Sequence, residues 1–370
     1  MDLDAVSGFH TAHDPRNHAA KRQSRAQQDL HEARRKPFHP SANHTMIVPQ
    51  FWAEGRVQHK EPGRQVTVKR FGWSDTSEEE ARSMAEARAQ DALERILCGD
   101  KLLRREPKVS YNGAEGVPIR EEILSRQGDT VITRNIYGAH CLNTPDVLFV
   151  DVDHPDGAPL RLRLIVGTCF LVPCIWHAIS EGHLRTFFGG LIVSILGGFI
   201  LSGLIFRAYV WLAGGPARLA LRRVAKFATA HPNWHLRLYQ TPAGYRLLVM
   251  HSTFDPDSSV VADCFKRLGA DPVYVRMCQR QKCFRARVSP KPWRMGITQK
   301  IKPRPGVWPV NPERLPQRRE WIDVYETKAR GFASCRFIQT FGNGGTHPTA
   351  ERVCQLHDEL SRAHSGLPLA

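Results

Sequence analysis

The sequence predicts an α+β protein whose antiparallel sheets are flanked by helices and interrupted by a two-helix transmembrane hairpin. Three observations favour this class: alternating stretches bounded by Gly and Pro, amphipathic stretches at helical spacing, and two long apolar runs near the middle of the 370-residue chain. The length and a hydrophobic content of 42% allow a buried core. We therefore expect a folded protein with a membrane anchor.

The chain is strongly basic, with a formal net charge of +16. The segment from Arg207 to Arg330 contains 24 Lys and Arg but only 8 Asp and Glu, so it holds the whole excess. Such a surface favours a nucleic acid, a nucleotide or an anionic lipid as partner. The nine cysteines are odd in number and lack framework spacing, which excludes a secreted disulfide scaffold and indicates free thiols.

The first half of the chain divides into a tail and a folded part. Residues 1–45 are rich in His and Arg and poor in large apolar side chains, so we expect a disordered tail. Residues 46–160 form the predicted N-terminal α+β part. It begins with two strands at 50–58 and 65–71 and a helix that starts at 75–77, where Asp, Thr and Ser can cap it.

A transmembrane hairpin is predicted over 161–211. Leu164–Ile179 and Phe187–Phe206 are uncharged apolar runs, and the second has the 20 residues that a bilayer core requires. Arginines flank the pair on both sides: Arg161, Arg163, Arg207, Arg218, Arg222 and Arg223. The positive-inside rule then predicts an inner (cytoplasmic) membrane protein with both soluble segments in the cytoplasm. The alternative is a buried helical hairpin in a soluble protein.

Small residues recur every four positions in the second apolar run, at Gly190, Ser194, Gly198 and Ser202. Small residues at this spacing allow two membrane helices to approach closely. The first helix of the hairpin could pack there, or a second copy of the protein could form a homodimer through this face.

The C-terminal basic α+β part is predicted to cover 212–370. We expect a β-hairpin within 234–251, a helix at 258–268 and a strand at 272–276. The proline-rich residues 296–319 indicate an irregular connector.

The first candidate site lies at the end of an apolar strand, in the run VLFVDVDHPDG from Val147 to Gly157. Alternate residues of a strand face the same side, so Asp151 and Asp153 could share a divalent cation. The same pattern also occurs where an edge strand ends in a solvated turn.

A second candidate site is the basic stretch 270–296, in which cations alternate with the aromatic side chains Tyr274, Phe284 and Trp293. The cations could neutralise phosphates while the rings stack on bases, or the stretch could face acidic lipid headgroups. The seven cations are Arg276, Arg280, Lys282, Arg285, Arg287, Lys291 and Arg294.

These motifs follow one another in a familiar order. The DVD strand, the turn-bearing hairpin YQTPAGYR, and Asp271 followed by VY and FRAR resemble the three motifs of the archaeo-eukaryotic primase superfamily, especially its primase-polymerase branch. The resemblance implies metal-dependent nucleotidyl transfer, with Asp151, Asp153 and Asp271 as catalytic acids that bind Mg²⁺ or Mn²⁺. It also implies nucleotide or template contacts by Tyr274, Arg280 and Arg285.

The chain departs from that family in its second motif. No Ser-x-His stands in the hairpin, and Thr241 and Arg246 occupy the comparable stretch, so phosphate contact there would fall to an arginine. With Lys291 of the basic stretch, they complete the candidate phosphate-binding set. A membrane hairpin between the first two motifs is also foreign to the family pattern.

Other functions fit the same aspartates. A phosphatase of the haloacid dehalogenase type would use Asp151 as nucleophile and Asp153 as acid and base, but Pro155 stands where it expects a small hydroxyl residue. A glycosyltransferase could hold a metal with Asp-x-Asp, yet no nucleotide-binding βαβ unit precedes it. The main alternative is a non-enzymatic membrane module whose basic face binds nucleic acid or anionic lipid. The sequence leaves open whether the protein is an enzyme.

Overall fold

The computed structural model describes residues 48–106, 117–155, 157–181, 184–304 and 306–370. The predicted tail 1–45 lies outside these residues. Within them the chain is α+β, and every strand pair in its sheets is antiparallel, which confirms the predicted class.

The N-terminal layer is a two-stranded hairpin covered by a helix. Strands β1 (Phe51–Glu61) and β2 (Arg64–Ser74) pair along their whole length. Helix α1 (Glu78–Leu97) begins after Ser77, whose side chain accepts a hydrogen bond from a backbone N–H of the first turn. The helix lies directly on the hairpin because Gly72 has no side chain: a Cβ there would lie 2.1 Å from a helix carbonyl oxygen.

Two four-stranded sheets form the centre of the protein. Their strands are β3 (Glu122–Gln127), β4 (Thr130–Arg134), β5 (His140–Thr144), β6 (Phe149–Asp153), β7 (Leu236–Thr241), β8 (Gly244–Val249), β9 (Phe284–Arg287) and β10 (Arg336–Phe341). One sheet has the order β10-β7-β8-β6 and the other β3-β4-β5-β9. Each sheet combines strands from before and after the apolar hairpin, so the predicted N- and C-terminal parts share both sheets.

The apolar runs form two antiparallel helices, α2 (Leu160–Glu181) and α3 (Leu184–Leu212). Among the described residues, two stretches within them are long and apolar enough to cross a membrane. The small-residue face of α3 contacts α2 within the chain, since a Cβ at Gly198 would lie 2.8 Å from Gly167 Cα. A homodimer through this face stays a prediction.

The remaining helices pack on the central sheets. They are α4 (Pro216–Ala230), α5 (Ser259–Leu268), α6 (Pro272–Gln281), α7 (Leu315–Ala329) and α8 (Pro348–Ser361), with short 3₁₀ turns at Pro292–Met295 and Pro312–Arg314. The strand predicted at 272–276 is wrong: this segment is the first half of α6. Asp271 and Pro272 provide a helix start there, with a capping side chain and a proline in the first turn. The predicted irregular connector 296–319 is also partly wrong, because its last five residues belong to α7.

Candidate functional site

A pocket of about 260 Å³ opens where the two central sheets meet. Eight of the nine candidate residues line it, although they come from four strands, the start of α6 and the connection after β9. They are Asp151, Asp153, Thr241, Arg246, Asp271, Tyr274, Arg285 and Lys291. The ninth, Arg280, lies half-buried on α6 and is not among the lining residues. We call this cavity the central pocket.

A two-point ion pair joins Asp151 to Arg246 in the central pocket. These residues are directly opposed in the β6–β8 pairing, and both carboxylate oxygens accept from the guanidinium, at 2.7 Å from Nε and 3.1 Å from Nη2. The Arg246 side chain is 2% exposed and that of Asp151 is 31% exposed. Burial alone would raise the pKa of Asp151, but Arg246 more than offsets this effect, so the pKa lies below its usual range.

Arg246 also connects the pocket to the layer behind the sheet. Its Nη1 donates to the backbone oxygen of Arg287 at 2.9 Å and lies 3.5 Å from Nε2 of the fully buried His357. The other ring nitrogen of His357 lies 3.0 Å from Asp358 Oδ1. The guanidinium is therefore held from several sides, which fixes its orientation toward Asp151.

A second buried ion pair joins Arg285 of β9 to Glu121. Both side chains are 9% exposed, and Glu121 also accepts from the Thr133 hydroxyl at 2.6 Å. Beside this pair, the hydroxyl of Tyr274 donates to the backbone oxygen of Phe149 at 2.9 Å. We call the two ion pairs, Asp151–Arg246 and Glu121–Arg285, the floor pairs of the pocket.

Asp271 reaches the pocket from the start of α6, where its Oδ1 accepts from Val273 N at 2.8 Å. It therefore caps a helix, whereas the sequence predicted that a strand would begin directly after it. Asp153 is exposed at the end of β6, on the same strand face as Asp151. The pocket collects all three aspartates, and the carboxylates of Asp151 and Asp271 accept hydrogen bonds from protein groups.

The hairpin between β7 and β8 closes the pocket beside the end of β6. Thr241, the last residue of β7, pairs with Gly244, and Gly244 pairs with Asp153. A Cβ at position 244 would lie 2.2 Å from the Val152 backbone oxygen, so only glycine allows this close approach. The glycine thereby keeps Thr241 near Asp153.

Two other cations that line the pocket stand in a different electrostatic setting from Arg246 and Arg285. Arg287 and Lys291, which we call the rim cations, line the pocket, and Arg294 lies near them. Burial and the neighbouring Arg287 and Arg294 lower the pKa of Lys291 to about 8, against the opposing effect of Asp153. Burial and Arg246 likewise lower the pKa of Arg287, and its buried Nε has no hydrogen-bond partner in the described part of the chain. The rim is therefore a net cationic environment.

An aromatic surface adjoins the rim. Trp293 is 53% exposed, and its ring meets that of Tyr137, a pocket-lining residue, edge to face at 5.6 Å between centroids. Lys291 Nζ lies 5.3 Å from the centre of the Trp293 ring. An exposed indole beside clustered cations offers a stacking face for a base next to a cavity that could hold phosphate groups.

The metal prediction has no direct support in the geometry. Across the described residues, no group of three or more His, Cys, Asp or Glu side chains is placed to hold a metal ion. Asp151 gives both oxygens to Arg246, and Asp271 gives one to a helix terminus. Bound Mg²⁺ or Mn²⁺ stays a prediction.

Several residues of the pocket, and His357 in the layer behind it, could not be assigned to the site from the sequence. Glu121 belongs to no recognisable sequence motif, and it is 164 positions from its partner Arg285. His357 stands in a His-Asp dipeptide that carries no metal spacing. Arg287 belongs to the basic stretch that the sequence singles out. Its alternation with Arg285 in FRAR indicates that both belong to a single strand.

Comparison of the chain with protein-family models, with curated proteins and with solved structures found no match.

Proposed function

We propose that the central pocket binds the phosphate groups of a nucleotide or of single-stranded nucleic acid, in a protein anchored to the inner (cytoplasmic) membrane by α2 and α3. The observation that carries this proposal is the contrast of charges in the pocket. The floor cations Arg246 and Arg285 are neutralised by carboxylates, whereas burial and neighbouring arginines lower the pKa of both rim cations. A bound anion would relieve that repulsion.

The size and surroundings of the pocket fit part of a nucleotide. A volume of about 260 Å³ is below the roughly 300–1,000 Å³ of typical small-molecule sites. The remainder of the ligand would extend over the rim, where Trp293 offers a face for a base. This arrangement favours a single-stranded nucleic acid, because a base can stack on an aromatic side chain only when it is not stacked on the neighbouring bases.

A salt titration tests the phosphate contacts. The ligand is a fluorescent single-stranded 20-mer of deoxyadenosine, and the protein is the full chain in detergent. The measured quantity is the slope of the logarithm of the binding constant against the logarithm of the salt concentration. Each lost phosphate contact should make this slope less steep by about 0.7, so R287Q/K291Q should make it less steep by about 1.4. The matched control K266Q/R276Q removes two exposed cations outside the pocket and should keep the parent slope.

The result separates the two binding alternatives. A double rim variant that keeps the parent affinity and slope would contradict phosphate binding in the pocket. If that variant also loses binding to phosphatidylglycerol vesicles, the basic surface serves anionic lipid instead. A thermal melt of each variant checks that the fold is intact.

The membrane orientation rests on the arginines at both ends of the hairpin, which favour a cytoplasmic location for both ends. In a background without other cysteines, H183C should react with an impermeant maleimide added outside intact spheroplasts. A chain that retains only the exposed Cys98 should react only after permeabilisation. Labelling of H183C only after permeabilisation, or a protein soluble without detergent, would contradict the orientation.

Metal-dependent nucleotidyl transfer of primase type is the second candidate. One observation favours it: Asp151, Asp153 and Asp271 line the same pocket as the proposed phosphate ligands. Release of Asp151 from Arg246 would be needed before these acids could act together.

A further inference from the structure

A second cavity lies against the apolar helices, apart from the central pocket. It has a volume of about 630 Å³ and is formed where α2 begins and α3 ends, beside the chain that leaves β6 and the chain that enters α4. Its walls include Phe199, Leu204 and Trp211, which are 60%, 55% and 78% exposed. We call this cavity the interface groove.

Two arginines give the groove a polar end. Arg163 of α2 and Arg207 of α3 both line it, and the guanidinium carbon of Arg163 lies 4.9 Å from the centre of the Phe199 ring. None of the described lining residues is acidic. The groove therefore combines an apolar wall with a cationic end, as far as its described lining residues go.

The two arginines lie at similar heights along the hairpin. Because Gly167 contacts Gly198 and the helices are antiparallel, Arg163 is level with the residue four positions beyond Gly198. Arg207 is five positions further, or about 7.5 Å along the helix axis. Two cations at that separation can share one phosphodiester headgroup.

We propose that the interface groove binds one anionic phospholipid, with its phosphate on Arg163 and Arg207 and an acyl chain along Phe199 and Leu204. Trp211 lies at the headgroup level, where tryptophan is enriched in membrane proteins. Basic pockets between membrane helices on the cytoplasmic side suit anionic headgroups. The inference rests on the proposed membrane location.

The test compares lipids on the detergent-purified full chain by native mass spectrometry. With equal amounts of dioleoyl phosphatidylglycerol and dioleoyl phosphatidylcholine, the parent should retain one phosphatidylglycerol with a preference of at least about tenfold. R163Q/R207Q should reduce the preference to near equality. R161Q/R222Q removes two exposed arginines at the same membrane face that do not line the groove, and should retain the parent preference.

A second variant obstructs the groove without changing charge. A Cβ at Gly203 would meet nothing within 4 Å, so G203L should fold normally and fill the cavity. It should lose the retained phosphatidylglycerol. A preference that survives G203L, or falls equally in R161Q/R222Q, would overturn the proposed site in favour of general attraction to basic residues.

Carbonate extraction of membranes separates the two proposals. A parent that remains in the membrane pellet but retains both lipids equally would contradict only the lipid site. A parent released into the supernatant would contradict the membrane location and the lipid site together.

Discussion

The floor and the rim of the central pocket hold similar residues in opposite electrostatic states. On the floor, Asp151 and Glu121 each face an arginine at hydrogen-bonding distance, and those arginines are 2% and 9% exposed. At the rim, burial and neighbouring cations lower the pKa of Arg287 and Lys291. The difference indicates separate roles, because a neutralised ion pair stabilises the fold whereas a strained group of cations is stabilised by an anion.

Breaking a floor pair should have the largest effect. In R246M, Asp151 loses its partner in a largely buried setting, and the free energy of unfolding should fall by about 3–5 kcal/mol. The measurement is a urea titration followed by tryptophan fluorescence.

The double variant D151L/R246M is the control, because it removes both charges. It should recover at least half of the loss, since an apolar pair can replace a buried ion pair. An R246M protein as stable as the parent would show that the floor is not a stabilising element.

Titrating the rim should have an intermediate effect. Because the pKa of Lys291 is about 8, its charge is lost between pH 7 and pH 9. Affinity for the deoxyadenosine 20-mer should then fall by up to about tenfold over this range. K291R stays protonated and should show a flat profile. An equally steep fall in K291R would assign the titration to another group.

The same shift has a consequence for stability without ligand. The folded pKa of about 8 lies below the ordinary lysine value of 10.5, so the unfolded chain binds more protons between these limits. Over that window the contribution of Lys291 to the free energy of unfolding should rise with pH, so the parent should gain stability relative to K291R.

Metal should have the smallest effect. Since Asp151 and Asp271 are engaged by protein groups, we expect affinity for the 20-mer to agree within about twofold in Mg²⁺, Mn²⁺ or EDTA. A metal-dependent gain, or nucleotide incorporation that D153N abolishes, would instead support primase-like transfer. In that case the floor would rearrange on ligand binding.

Much of the local fold could be predicted from the sequence. Alternating stretches gave β1, β2 and the β7–β8 hairpin, and Ser77 marked the start of α1, because these signals act within a few residues. The segment after Asp271 was misread since its valines and tyrosine favour strands, whereas the capping aspartate and Pro272 favoured a helix.

The candidate site was predicted in composition but not in contacts. Eight of nine residues line one pocket, yet the sequence predicted that Asp151 shares a metal ion with Asp153 and Asp271, whereas its carboxylate contacts Arg246. The two are 95 positions apart with the apolar hairpin between them. Strand register across such a separation depends on the packing of both sheets, which no local pattern specifies.

The connection between β6 and the apolar hairpin is short, so in an anchored protein it would keep the pocket near the bilayer. Strand β6 ends at Asp153 and α2 begins at Leu160, so this connection spans at most about 25 Å. In an anchored protein, the potential of acidic lipids decays over about 8 Å at physiological ionic strength. A polyanion that comes within this distance of the bilayer would be repelled by the acidic headgroups, whereas a strand end that enters the pocket from the cytoplasm would not. The anchor would thereby favour ligands that approach from the cytoplasm by a free strand end.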